Sequence, residues 1–214
     1  MDYLNIAMNK ANLLGVDYAD IRIQKTSSES IFLKNLSLKN TSTNVVHGYG
    51  IRILKNGAWG FAHSNIFTKD AVIKTTEKAY AIALNSAKIK NGKGITLAHE
   101  RSYIDTFKTP IKIDPFEIPI KEKVDLLLEA SKTMLNYDKI KQTMAFIQSH
   151  KDEKFFASTI GTKLDITTSF ISPMINATAV TDLDSQSRSF NPGGIGKGWD
   201  FILDSNLLKK AAVV

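Results

Sequence analysis

Apolar positions change their period several times along this chain of 214 residues. Leu4, Ala7, Met8, Ala11 and Leu14 recur at helical spacing behind Asp2, whose side chain suits an N-cap, and Gly15 supplies the stop. From Ala19 the period becomes two: Ile21 and Ile23 alternate with Arg22 and Gln24, as in a half-buried strand. Short strands are predicted over 19–25, 30–34, 36–39, 45–54 and 58–63, with a bend at Asn35. Helical spacing returns behind Thr68 and Asp70, where Val72, Thr76, Ala79, Ala83 and Ala87 form a stripe of mostly small side chains, widened by Ile82. Residues 88–94 read as a loop, and Pro110 and Pro119 bracket a second break.

The second half repeats the scheme. A helix is predicted over 122–135, with Val124, Leu127, Leu128, Ser131 and Leu135 on one side. Strands follow over 143–148, 154–159, 163–171 and 176–181, with turns near Asp152, Gly161 and Pro173. Residues 184–197 are Ser/Gly/Pro-rich and read as a loop; 199–210 reads as a helix with Ile202, Leu203 and Leu207 inward. The fold class predicted is α+β: an antiparallel sheet meander covered by helices, followed by a second helix-plus-antiparallel-sheet module. The expected division is an N-terminal module over 1–94, a linker over 95–118 and a middle module over 119–214.

The sharpest local signal is Asn56-Gly57, which favours a two-residue type I′ turn because both central residues must take positive φ. That turn fixes a register: Lys55 opposite Ala58, Leu54 opposite Trp59, Ile53 opposite Gly60, Arg52 opposite Phe61 and Ile51 opposite Ala62. One face then carries Ile51 and Ile53 beside Gly60 and Ala62, which leaves room for a helix to pack closely. The other carries Arg52, Leu54, Trp59 and Phe61.

Apolar content of 43% and charged content of 23% are those of an ordinary globular chain. With no cysteine, disulfides, thiolate metal sites and a Cys nucleophile are excluded. No signal sequence and no run of spanning length is present, so a cytoplasmic protein without membrane association is expected. The net charge of +7 comes from scattered lysines rather than a basic block interleaved with aromatics, so nucleic acid is not the expected partner.

Candidate chemistry is sparse. His47, His63, His99 and His150 are too far apart for two imidazoles to share one helical turn; His99-Glu100 begins like a zinc helix, but Tyr103 and Ile104 stand where the second histidine belongs. The glycines of 193–198 lack the Ser or Thr of a phosphate loop and the spacing of a dinucleotide fingerprint. Asp182 and Asp184 open like a calcium loop that Gln186 and Ser187 do not continue; they read as a solvated strand end. No Gly-x-Ser-x-Gly elbow occurs. Arg52, Trp59, Phe61 and His63 remain. They suit a peptide-contacting surface, with aromatic anchors and a cation for a carboxylate; the plainer reading is a packed second layer, Arg52 stacking on Phe61 across the strands.

Three blocks, A-D-I-R-I-Q at 19–24, E-S-I-F-L-K-N at 29–35 and G-Y-G-I-R-I-L-K-N-G-A-W-G-F-A at 48–62, resemble the opening of the TldD/PmbA family, the proposed metallopeptidases also called modulators of DNA gyrase, and lean to its TldD-like branch. The resemblance implies an α/β first region, a middle region and, in the full-length family, a C-terminal region holding zinc in H-E-x-x-x-H. It implies action on peptides or unfolded protein, and subunits paired as homodimers or as heterodimers with another family member. No metal ligand or catalytic residue of that motif falls on this sequence. The chain is therefore expected to be truncated before the catalytic region, to bind no cofactor and to be inactive alone. The alternative is a stand-alone interaction module that pairs with a full-length relative.

Overall fold

The computed structural model describes residues 2–89 and 94–214. Its elements run α1 (Tyr3–Leu13), β1 (Tyr18–Lys34), β2 (Ser37–Lys55), β3 (Ala58–Ser64), α2 (Lys69–Ile89), β4 (Ile104–Lys108), a 3-10 turn (Pro115–Glu117), α3 (Ile120–Leu135), β5 (Ile140–Ser158), β6 (Lys163–Val180), β7 (Ser185–Phe190), α4 (Asp200–Ser205) and α5 (Leu207–Ala211). Strands and helices are segregated as an α+β fold requires. The strand order is β3-β2-β1-β5-β6-β4, with β7 also on β6; pairing is antiparallel at β2–β3 and β6–β7, and parallel at β4–β6.

The chain divides into two compact units: Met1–Lys25, Val46–Lys108 and Asp152–Thr167 form one; Thr26–Val45, Thr109–Lys151 and Thr168–Val214 form the other. Strands β1, β2, β5 and β6 each give residues to both. They are therefore longer than side-chain periodicity predicts. The expected breaks at Asp152 and Pro173 lie inside β5 and β6, and the separate strands of 19–25 and 30–34 are one. Polar runs such as 26–30 blur the alternation, but ladder hydrogen bonds hold the backbone regardless of what the side chains do. Pro173 is tolerated for a legible reason. Ile171 directs its N–H outward to the Ile195 carbonyl at 3.0 Å, so residue 173, two further on, also faces outward, between the stretches that pair with β4 and β7.

In the first unit the hairpin register is the one the Asn56-Gly57 turn dictates, from Lys55↔Ala58 to Ile51↔Ala62, with φ of +50° and +70° at the turn. Ile51, Ile53 and Ala62 join Ile21, Val72, Ala79 and Ala83 in one core, where α2 lies on the small-residue face. The approach is close: a Cβ on Gly60 would stand 2.0 Å from the Ala79 carbonyl oxygen. Asp2 caps α1 by accepting from the Asn5 N–H at 3.1 Å, and Thr68 caps α2 through Ala71. Ile82 does not widen the α2 stripe; it is exposed, and Thr75 is buried in its place with its hydroxyl on the Ala71 carbonyl. Lys88 and Ile89 complete α2 instead of opening a loop, and the rest of that expected loop, 90–93, lies outside the described residues.

In the second unit α3, α4 and α5 pack through Leu127, Ala130, Met134, Trp199, Ile202 and Leu207 onto Ile31, Leu33, Ile147, Ile171 and Ile175. The inward face of α3 is rotated from the expected one: Lys123, Ala130 and Met134 are buried, while Val124, Leu128 and Leu135 are half-buried. Two findings correct the C-terminal reading. Residues 185–190 are not loop but β7, and the helix over 199–210 is broken at Asn206, φ +50°, which turns Leu203 outward.

Candidate functional site

The hairpin face opposite α2 holds the only concentration of chemistry the sequence singles out. Arg52 on β2 reaches across to Asp20 on β1: its Nε donates to Oδ2 at 3.0 Å and its Nη2 donates to the same oxygen at 2.6 Å. Asp20 is completely buried, whereas the Arg52 side chain keeps 41% of its exposure. These hydrogen bonds hold the guanidinium proton more tightly than usual, against a smaller opposing effect of burial. The other face of the guanidinium lies 5.1 Å over the Trp59 ring. Trp59 in turn meets Tyr18 edge to face at 5.8 Å. Burial first, then the Asp20 charge and a hydrogen bond to it, push the Tyr18 phenol up to about 12.

Tyr18, Arg52 and Trp59 line a cleft of about 920 Å³ whose other wall is a strap through Leu97, His99, Glu100 and Arg101. The strap has no regular structure and is exposed along its length. It is tied at both ends: the Ile95 N–H donates to the Gly57 carbonyl at 2.8 Å, and the Tyr103 carbonyl accepts from Lys163 at 2.7 Å. The expected linker over 95–118 thus contains this strap, β4 and the 3-10 turn.

The structure brings Arg52 and Trp59 together in this cleft and sets Phe61 and His63 apart from it. Directly opposite Arg52 in the register, Phe61 is nevertheless not its stacking partner: the guanidinium is held by Asp20 on the strand to one side and lies over Trp59, on the diagonal of the strand to the other. The Phe61 ring lies instead over Gly50 and beside His63, with centroids 5.9 Å apart, and is 54% exposed. Sequence reasoning missed Tyr18 and Asp20. The signal was there in Tyr18-Ala19-Asp20, which puts an acid on the same strand face as a tyrosine beside the hairpin.

Among the described residues the donors do not gather as a zinc ion requires. His47 stacks on Phe67 at 4.0 Å and His150 on Phe170 at 4.9 Å, His63 sits beside Phe61, and among the described residues no three His, Asp or Glu side chains converge. Asp184 is fully exposed and serves the β6–β7 turn: hydrogen bonds from Gln186 and the Ser185 N–H keep its carboxyl below the ordinary value. The glycine run 193–198 is a connection whose Gly198 packs on the Ile113 carbonyl. Asp200 accepts from the N–H groups of Lys112 and Ile113 at 3.1 and 3.3 Å; burial raises its carboxyl, yet these donors outweigh it and hold the group low. No helix among the described residues is long and apolar enough to cross a membrane.

Comparison with known proteins places the chain in a family. Residues 19–83 match the PmbA/TldA metallopeptidase domain 1, and residues 113–213 match the PmbA/TldA metallopeptidase central domain. The chain belongs to the TldD/PmbA family. A metalloprotease of Methanocaldococcus jannaschii is 29% identical over 180 residues, 84% of this chain and 40% of that protein. A zinc metalloprotease TldD homolog of Saccharolobus solfataricus is 26% identical over 122 residues, 53% of this chain and 27% of the relative. Among solved structures, a candidate DNA gyrase modulator from Thermotoga maritima superposes with a TM-score of 0.72 at 19% identity, covering 99% of this chain and 46% of that one, and so shares its fold. The chain spans less than half the length of these relatives.

Proposed function

We propose that this chain is the non-catalytic front part of a TldD-like zinc metallopeptidase that acts on peptides or unfolded protein in the cytoplasm. It shapes the substrate chamber and supplies part of the contact between subunits, either two copies or a copy and another family member. One observation carries this reading: the matched segments are the family's first and central domains, on a chain spanning about 40% of a metalloprotease relative. Zinc and the hydrolytic step are accordingly assigned to polypeptide outside these two domains.

Two features suit an extended peptide. β3 ends the strand order, so its outer edge offers main-chain donors and acceptors to an added strand, which tolerates many sequences. Phe61 and His63 lie on that edge strand as exposed aromatic contacts, and the Arg52–Trp59 cleft offers a cation and a ring to a carboxylate or side chain.

Zinc content by mass spectrometry and digestion of casein test the division of labour. Neither stoichiometric zinc nor hydrolysis is expected from the chain alone, and one tightly held zinc per chain would overturn the reading. Peptide contact is tested by anisotropy of a labelled unfolded casein peptide. Trp59→Ala and Phe61→Ala should each weaken binding by about tenfold, the effect of losing an aromatic anchor; unchanged affinity in both removes this face from the substrate path.

A further inference from the structure

The first stretch of β2 is exposed over a greater length than any other strand segment among the described residues. Residues 37–47 are exposed at eleven consecutive positions, on both faces of the strand. β3 pairs only with 49–55, so among the described residues no strand lies along the outer edge of β2 from 37 to 48. That is an open ladder of roughly 37 Å at ordinary strand rise. The devices that normally blunt such an edge are nearly missing: the segment holds no proline and a single charge, Lys39.

Its sequence is also a near-palindrome. Asn40-Thr41-Ser42-Thr43-Asn44 reads the same in both directions about Ser42. A two-fold axis through Ser42, pairing the strand antiparallel with itself, sets Asn40 against Asn44, Thr41 against Thr43 and Ser42 against its own copy. Threonine pairs and amide pairs are favourable cross-strand neighbours. Lys39 then faces Val45, so the one charge meets no like charge, and the exposed Leu38 and Val46 come opposite one another at each end. An isologous contact needs a surface complementary to itself, and this edge is one.

We infer that the outer edge of β2, centred on Ser42, is a subunit seam where a second copy of this chain adds its own β2 antiparallel. The inference rests on the reading that subunits pair, and names the surface and the register.

The absence of cysteine makes the register directly testable in the full chain. Ser42→Cys places a thiol on the axis, within bridging range of its symmetry mate whichever kind of antiparallel pair is formed there. Mild oxidation should convert it to a disulfide-linked dimer. Asn40→Cys and Asn44→Cys should bridge only when mixed, because each faces the other position rather than itself. Thr41→Lys with Thr43→Lys sets like charges opposite and should return the chain to a monomer by light scattering, with unchanged circular dichroism. A dimer by mass that bridges at none of these positions overturns the seam and leaves subunit pairing standing. A monomer at all concentrations without a Ser42 bridge overturns the seam, and one that stays a monomer with another family member present overturns subunit pairing as well. Bridging of Asn40→Cys or Asn44→Cys alone, without mixing, overturns the register, and dimers formed only with a different family member overturn the self-pairing.

Discussion

Asp20 lies wholly inside the protein, and Arg52, its partner, is still 41% exposed. The asymmetry predicts unequal costs. Arg52→Ala leaves the buried carboxylate with only Arg22, whose Nε stands 3.8 Å away on a mostly exposed side chain, and should cost about 3 kcal/mol, towards the lower end of what broken buried pairs cost. Asp20→Asn leaves the guanidinium free to turn to water and keeps an acceptor for it, so about 1 kcal/mol is expected. Urea denaturation of the two variants measures this. Equal losses, or a greater loss for Asp20→Asn, would mean that the pair does not order the face as described.

Tyr18 gives the same site a pH signature. Its phenol is pushed up to about 12 by burial, then by the negative charge of Asp20, against an ordinary value near 10. A folded pKa above the unfolded one means that the fold favours the protonated phenol. The associated stability is complete below about pH 10 and is lost as pH rises from there through 12. Phenolate absorbance should show Tyr18 titrating late, and Asp20→Asn should bring it back towards 10. No change on removing the charge would leave burial as the sole cause.

Close packing of α2 on the hairpin predicts a contrast between two glycines. A Cβ at Gly60 would meet backbone, the Ala79 oxygen at 2.0 Å and the Ala83 nitrogen at 2.5 Å, so the helix itself must move. A Cβ at Gly50 would meet the Phe61 ring at 2.8 Å, a half-exposed side chain free to swing aside. Gly60→Ala should therefore cost about 2–3 kcal/mol and Gly50→Ala less than about 1 kcal/mol. Thermal melts of the two variants measure the difference.

How much of this was legible beforehand follows a physical line. Local rules survived intact: the Asn56-Gly57 turn fixed the β2–β3 register residue by residue, and the small-residue face marked where α2 docks. The cap at Asp2 was equally local. What failed was set by neighbours. The lengths of β1, β5 and β6 depend on ladders with strands far away in sequence, and Pro173 is harmless only because of where β4 and β7 stop. At the candidate site Arg52 and Trp59 could be named but their arrangement could not, since the residue that decides it, Asp20, sits 32 positions away.

The helix α3 poses the same problem in reverse. Its periodicity assigns Lys123 to the solvent side, yet Lys123 is completely buried, paired with Glu29 and 5.9 Å from the Trp199 ring. Two charges removed from water are a weak source of stability, because desolvation offsets most of their attraction; losing one partner alone is what costs. Lys123→Met should thus destabilise by about 3–5 kcal/mol by stranding Glu29. Adding Glu29→Leu should recover most of that loss. A chemical-denaturation cycle over the four proteins separates the outcomes. If the double variant is as weak as the single, the pair earns its place through attraction in excess of desolvation, and the buried lysine is a true anchor of α3 rather than a tolerated charge.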